Sequence, residues 1–246
     1  MAKENIKLIK IGGSLLDSME AVKKLIGSLK SKIVPGETII VHGGGNAINF
    51  WMKKNNIEPE FVDGQRVTDE KAIKVVEMVL SGLVNKEIVN ALTGEGYNAV
   101  GISGRDGNLA IAKIKDERLG YVGEVDQVEP DILLKLMNEQ VIPVVSPVCN
   151  GSNEEIINVN ADFFASAVAI AVDASELNVV TDTGGVIKEE KLIEQISAEE
   201  IEELKDKGII SKGMIPKLQA AVNAKKGGVE KVNILNYEGK VGTSII

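Results

Sequence analysis

The sequence predicts an α/β protein built on a mainly parallel sheet, and three observations carry that prediction. Short β-branched or apolar runs recur along the chain, most of them end in glycine, and segments of helical spacing follow. Glycine occurs 25 times, above average usage, and many of these glycines stand directly after apolar runs. Open α/β sheets bind their ligands beyond the carboxyl ends of the strands, so those turns are where function should lie.

The first unit, residues 6–16, reads IKLIKIGGSLL. A buried strand with Lys10 near its end runs into Gly12 and Gly13, and Ser14 opens an amphipathic segment read as a helix. Glycines let backbone approach a ligand closely, and amides at a helix start favour an anion. Lys10 is thus placed either to meet phosphate oxygens or to snorkel out to water. Residues 20–32 have helical spacing through Val22, Leu25, Ile26 and Leu29, ending at Pro35-Gly36. Residues 38–41 form a β-branched strand running into His42-Gly43-Gly44-Gly45 and a helical AINFWMKKN, which repeats the opening design.

The polar turn FVDGQRVTD delivers Arg66 just before a helical pattern that spans residues 69–95, interrupted near Gly82. A loop arginine suits bidentate capture of a carboxylate, and a solvated surface residue is the competing reading. The long apolar face suits either core burial or contact with another subunit. Residues 97–105 form another strand ending in glycines, and residues 109–128 alternate as a hairpin that would rim a small substrate. A short helix over 131–140 and a valine-rich strand over 141–148 lead to the polar loop 150–155. In INVNADFFASAVAIAV, Asn158 and Asn160 can both cap a helix that is apolar on nearly every side. Asp162 in its first turn either faces a cavity or simply suits the positive helix end. Strand 177–180 precedes TDTGG, and an acidic helix over 198–208 follows. Next, Lys217 falls in the first turn of a helix, where cations are disfavoured, which implies an anion or carboxylate nearby. A last strand spans 231–235.

Composition narrows the function. With 28 Lys and Arg against 36 Asp and Glu the net charge is −8, and only 3% of residues are aromatic. Phosphate-backbone binding and base stacking are therefore disfavoured, and nucleic acid is not an expected partner. The single cysteine, Cys149, excludes an internal disulfide and suggests a reducing compartment. The only histidine, His42, excludes a histidine metal cluster and is read as bonding locally. No run of 18 apolar residues and no signal-like start occur, so a cytoplasmic protein without membrane attachment is expected. Neither a Walker loop nor a strand-linked G-x-G-x-x-G is found. Several glycine turns and two isolated lysines nonetheless suggest phosphoryl transfer, which chiefly needs positioning and neutralised oxygens. Lys10 and Lys217 could serve the attacking and leaving sides, with Asp162 between them.

IKIGGS, IIVHGGGNAIN, VDGQRVTD, the VNK of 84–86, GYVGEV, INVNAD, TDTGGVI and GMIPK, spread across nearly the whole chain, together resemble the amino acid kinase family. The resemblance is to the branch that phosphorylates the side-chain carboxylate of N-acetyl-L-glutamate with ATP in arginine biosynthesis. It implies a three-layer αβα sandwich with a mainly parallel central sheet, a substrate-binding and dimerising lobe over residues 1–175, and a nucleotide lobe over 176–246. By this resemblance Lys10 and Lys217 stabilise the transition state and Asp162 organises them. Gly44, Gly45, Arg66 and Asn158 hold the acylated amino acid. The nucleotide lies along Gly12, Gly13, Asp182, Thr183, Gly184, Gly185, Val186, Ile187, Ser211, Lys212 and Gly213, with Mg²⁺ on its phosphates, few direct protein ligands and no metal-binding residue singled out.

The sequence departs from that pattern in TDTGG, in Lys212, and in LNYEGKVGTSII, which omits most of a helix, so a trimmed C-terminal lobe is expected. The few residues before the first strand point to an arginine-insensitive homodimer. Two other readings compete. One is a kinase for aminoadipate or glutamate held on a carrier protein, disfavoured by the intact HGGG and the acidic charge. The other is a ligand-binding regulator without turnover, disfavoured because binding alone does not need Lys10, Asp162 and Lys217 together.

Overall fold

A computed structural model describes residues 5–62, 64–210 and 213–246. The chain enters the middle of the sheet with β1 (Lys7–Ile11), whose alternate apolar residues are buried on both faces. The glycine turn after it is a single 3₁₀ turn, Gly13–Leu15, and α1 (Met19–Leu29) begins only at the Ser18 cap, whose hydroxyl accepts from Ala21 N. This corrects the expected helix start at Ser14: the chain has no side-chain cap there, and the first effective one is Ser18. β2 (Thr38–His42) is fully buried and passes directly into α2 (Gly45–Lys54). A two-stranded ribbon, β3 (Phe61–Val62) with β4 (Gln65–Arg66), precedes α3 (Glu70–Glu77), capped by Asp69. The interruption expected near Gly82 is a π-helical segment, Met78–Val84, which joins α3 to α4 (Asn85–Gly94).

β5 (Ala99–Ser103) leads to β6 (Ala110–Ile114) and β7 (Val122–Val128), which pair antiparallel as the alternation required. After α5 (Asp131–Asn138) and β8 (Ile142–Ser146), β9 (Val148–Asn150) and β10 (Ile156–Val159) close with that hairpin into a four-stranded barrel. The hairpin is thus part of a closed barrel. α6 (Ala161–Ala171) is capped by Asn160, whose side chain accepts from Asp162 N and Phe163 N. Asn158 lies on β10 and caps nothing, so only one of the two asparagines is a cap.

The remaining elements are β11 (Glu176–Val180), the small hairpin β12 (Val186–Lys188) and β13 (Lys191–Ile193), β14 (Gln195–Ile196), α7 (Ala198–Asp206), α8 (Ile215–Lys226), β15 (Lys231–Leu235) and β16 (Val241–Ile245). Eight strands form one sheet in the order β14-β16-β15-β11-β1-β2-β8-β5, parallel except for β15 with β16. Two apolar cores sandwich it, one containing residues of α1 and α4, the other residues of α6 and α8. The expected trimming of the last lobe is a short turn between β15 and β16, tied to α1 where Ser28 Oγ donates to Tyr237 O at 2.6 Å. Chain order reverses at β1, between β2 and β11. That is the switch point where a crevice opens at the strands' carboxyl ends.

Candidate active site at the switch point

The turns that follow β1, β2 and β11 meet in this crevice. Gly43 N donates to Ile11 O at 3.0 Å and Gly12 N to Val180 O at 3.2 Å. A Cβ on Gly13 would lie 2.7 Å from the amide nitrogens of both Gly44 and Gly45, and one on Gly44 would lie 2.7 Å from Leu80 Cδ2. The two glycine turns therefore pack backbone to backbone, against the π segment. The first turn of α2 has no side-chain cap, so its amides remain available to an anion.

Three charged side chains converge beside those turns. Lys10 Nζ is 2.6 Å from Asp162 Oδ1, and Lys217 Nζ is 3.4 Å from Asp162 Oδ2. Lys10 is 3% exposed, Asp162 6% and Lys217 23%. Each comes from a different element: the end of β1, the first turn of α6, and the first turn of α8. Burial lowers the Lys10 pKa, and the Lys217 charge adds to this against the pull of Asp162. Burial alone would raise the Asp162 pKa, but the two ammonium groups outweigh it and hold the carboxyl below its usual range. One carboxylate between two ammonium groups leaves the cluster with a net single positive charge. Among the described residues Lys10 is the one cation against the enclosed Oδ1, and the contact is a charge contact rather than an aligned hydrogen bond. Of the anion or carboxylate that Lys217's place at a helix start implied, the structure supplies a carboxylate, Asp162.

A third cation, Arg66, is 9% exposed. Its Nη1 donates to Asn49 Oδ1 at 2.5 Å and contacts Met52 Sδ at 3.4 Å, its Nη2 donates to Gly45 O at 3.3 Å, and the guanidinium lies 4.8 Å from the Phe61 ring centroid. Burial lowers its pKa. Asn158 is half-buried, and its Nδ2 donates to Thr68 Oγ1 at 3.4 Å, while that hydroxyl donates to Arg66 O at 3.1 Å. Gly44, Gly45, Arg66 and Asn158 thus belong to one connected wall.

On the opposite side, the loop after β11 carries exposed Asp182 and Thr183. Thr181 Oγ1 accepts from Gly184 N at 2.8 Å, and Val186 N donates to Thr243 Oγ1 at 2.9 Å, tying the loop to β16. Gly184 has φ +73°, and a Cβ there would meet Asn236 Cβ at 2.7 Å. Gly185 and Val186 are buried, so any contact they make is through main chain, whereas Ile187 is exposed. Gly213 and the N-cap Met214 lead into α8, whose first turn also has no side-chain cap. Ser211 and Lys212 lie outside the described residues. No cluster of three or more His, Cys, Asp or Glu side chains suited to a metal occurs among the described residues. Both oxygens of Asp162 face amines.

Sequence reasoning missed the residues behind this wall. Asn49 and Thr68 sat inside quoted motifs without any mark of their own. His42 does bond locally: it is buried and its pKa is lowered to about 4 by desolvation, so the neutral ring donates from Nδ1 to Gly43 O at 2.9 Å. Its Nε2 accepts from Asn85 Nδ2 at 3.2 Å, and Asn85 reaches on to Val144 O at 2.9 Å.

The amino acid kinase model matches residues 5–236. The chain belongs to the amino acid kinase family. Within that family it is similar to the acetylglutamate kinase of Methanopyrus kandleri, 42% identical over 245 residues and covering 95% of this chain and 96% of that protein. The acetylglutamate kinase of Dinoroseobacter shibae is 43% identical over 233 residues, covering 94% of this chain and 81% of its own length. Among solved structures, smu.665 from Streptococcus mutans UA159 superposes with a TM-score of 0.87 at 29% identity, covering 98% of each chain. The amino acid kinase fold is accordingly the α/β sandwich described above.

Proposed function

We propose that this amino acid kinase is an acetylglutamate kinase, transferring the γ-phosphoryl of ATP to the side-chain carboxylate of N-acetyl-L-glutamate. The observation that carries the reading is the Lys10–Asp162–Lys217 convergence, at 2.6 and 3.4 Å, beside the uncapped start of α2. The full-length relatives at about 40% identity supply the substrate.

In this reading Lys10 neutralises charge on the acceptor side and Lys217 on the donor side, while Asp162 holds both amines. Arg66 takes the substrate's free carboxylate, with the Gly44 and Gly45 amides and Asn158 completing that wall. Gly12, Gly13, residues 182–187, Ser211, Lys212 and Gly213 are assigned to the nucleotide. Mg²⁺ bound on the nucleotide phosphates supplies further neutralisation. Removing one well-placed donor from such a site costs on the order of 3 kcal/mol of barrier, more than a hundredfold in rate.

We further assign residues 1–175 to the substrate lobe and 176–246 to the nucleotide lobe, which share the sheet through β1 and β11. An arginine-insensitive cytoplasmic homodimer completes the proposal. Met78 and Leu83 on the π segment and Val100 on the edge strand β5 are exposed apolar residues that we assign to the subunit contact, and no described helix is long and apolar enough to cross a membrane.

The test is ATP-dependent acyl phosphate formation trapped with hydroxylamine, run with N-acetylglutamate, glutamate, aspartate and aminoadipate. Product with N-acetylglutamate above the others is expected. A preference for a free amino acid, or no product with any, would refute the assignment. Sedimentation as a hexamer, or inhibition by arginine, would refute the regulatory part.

A further inference from the structure

Every polar or aromatic group that the structure sets against the Arg66 guanidinium is uncharged: the Asn49 amide oxygen, the Gly45 carbonyl, the Met52 thioether and the Phe61 ring. No carboxylate among the described residues pairs with it, although it is 9% exposed. Taking a cation out of water without a counter-ion is costly, and a fold that does so keeps the charge for something it lacks. The shortest of these contacts is Asn49 Oδ1 to Nη1, at 2.5 Å. Asn49 stands on α2, one turn after Gly45, so the same rigid helix presents the uncapped amides and the acceptor that fixes the arginine. Phe61 covers the guanidinium, and Asn49 with Gly45 O hold Nη1 and Nη2. A planar fork held in this way presents its remaining N–H groups in one orientation.

We infer that Asn49 is a positioning residue for substrate recognition: its neutral side chain aims Arg66 at the substrate carboxylate while leaving the positive charge unspent. This rests on the proposed role of Arg66. An amide is required rather than a carboxylate, because an aspartate at this point would pair with Arg66 and compete with the substrate for it.

The experiment compares N49A, N49D, R66A and the two R66A double variants, measuring KM for N-acetylglutamate, KM for ATP, kcat and Tm. N49A should raise KM for the acyl amino acid about tenfold, and N49D about a hundredfold, with kcat and the nucleotide KM little changed. In the R66A background either change at position 49 should move KM by less than about twofold. N49D is near-isosteric with the native residue, so a Tm close to wild type separates competition from misfolding. Equal effects of N49A and N49D, or effects undiminished by R66A, would overturn the inference. If R66A itself leaves the acyl amino acid KM unchanged, the proposed substrate role of Arg66 fails, and the role of Asn49 fails with it.

Discussion

Replacing Asp162 by asparagine removes one charge and little volume, and it separates what the carboxylate does for folding from what it does for chemistry. In the native cluster the 3% exposed Lys10 ammonium is balanced, among the described residues, by Asp162 alone, which Lys217 shares from 3.4 Å. The substitution leaves two amines facing each other in a buried space, so the net charge rises from one to two. Breaking a buried pair by removing one partner costs about 3–5 kcal/mol. Lys10, whose pKa burial already lowers, then loses the group that opposes that shift and should release its proton in the folded state. Removing Lys10 as well relieves the uncompensated charge, so Lys10→Met combined with Asp162→Asn should cost less than the sum of the single changes. Urea unfolding of the four proteins measures the coupling, and single-turnover transfer measures the chemistry, where Asp162→Asn should lose about a hundredfold to a thousandfold. Should Asp162→Asn unfold within about 1 kcal/mol of wild type and the double variant prove additive, the cluster would not be the coupled buried unit described here.

Three further outcomes follow from other parts of the chain. His42 is held neutral with its pKa lowered from 6.5 to about 4, so the unfolded chain binds a proton that the folded one refuses; its stabilisation is complete above pH 6.5 and is lost as pH falls toward 4, in total about 3 kcal/mol. The stability difference between wild type and His42→Gln should therefore shrink across that window, and a pH-independent difference would contradict the neutral assignment. In the hairpin between β12 and β13 the two turn residues, Glu189 and Glu190, have φ of 49° and 64°, the left-handed pair of a type I′ turn. Replacing them by Asn-Gly should raise the urea midpoint, by about 1 kcal/mol in stability, since those residues adopt this geometry with less strain. Cys149 is fully buried and its thiol is pushed up to about 12, so it should resist a disulfide reagent in the native protein and react fully once unfolded.

The parts of this site that could be read from the sequence are those whose local context was out of place. Lys10 interrupts an apolar strand, read as meeting phosphate or snorkelling to water, and Lys217 sits at the wrong end of a helix, which implied an anion or carboxylate; Asp162 pairs with both. What could not be read depends on contacts between distant segments. Nothing in residues 78–84 announces a π segment beyond Gly82; its Leu80 and Val84 press on Gly44, more than thirty residues earlier. Closure of β6 and β7 with β9 and β10 is likewise decided by pairings such as Asn158 with Val122. That register also decides that Asn158 faces Thr68 while Asn160 caps α6, a choice that two asparagines in INVN leave open.

Charge is treated in opposite ways at the two ends of the crevice, and the difference has a physical reason. At Lys10 the cation is clamped by a carboxylate, because two neighbouring amines would otherwise repel each other and shed a proton. At Arg66 the acceptors among the described residues are all neutral, and in the proposed reading its counter-ion arrives with the ligand. A guanidinium, with its very high intrinsic pKa, survives that arrangement where an ammonium would not. Exchanging the two designs, with a carboxylate beside Arg66 or none beside Lys10, would therefore damage binding at one end and transfer at the other.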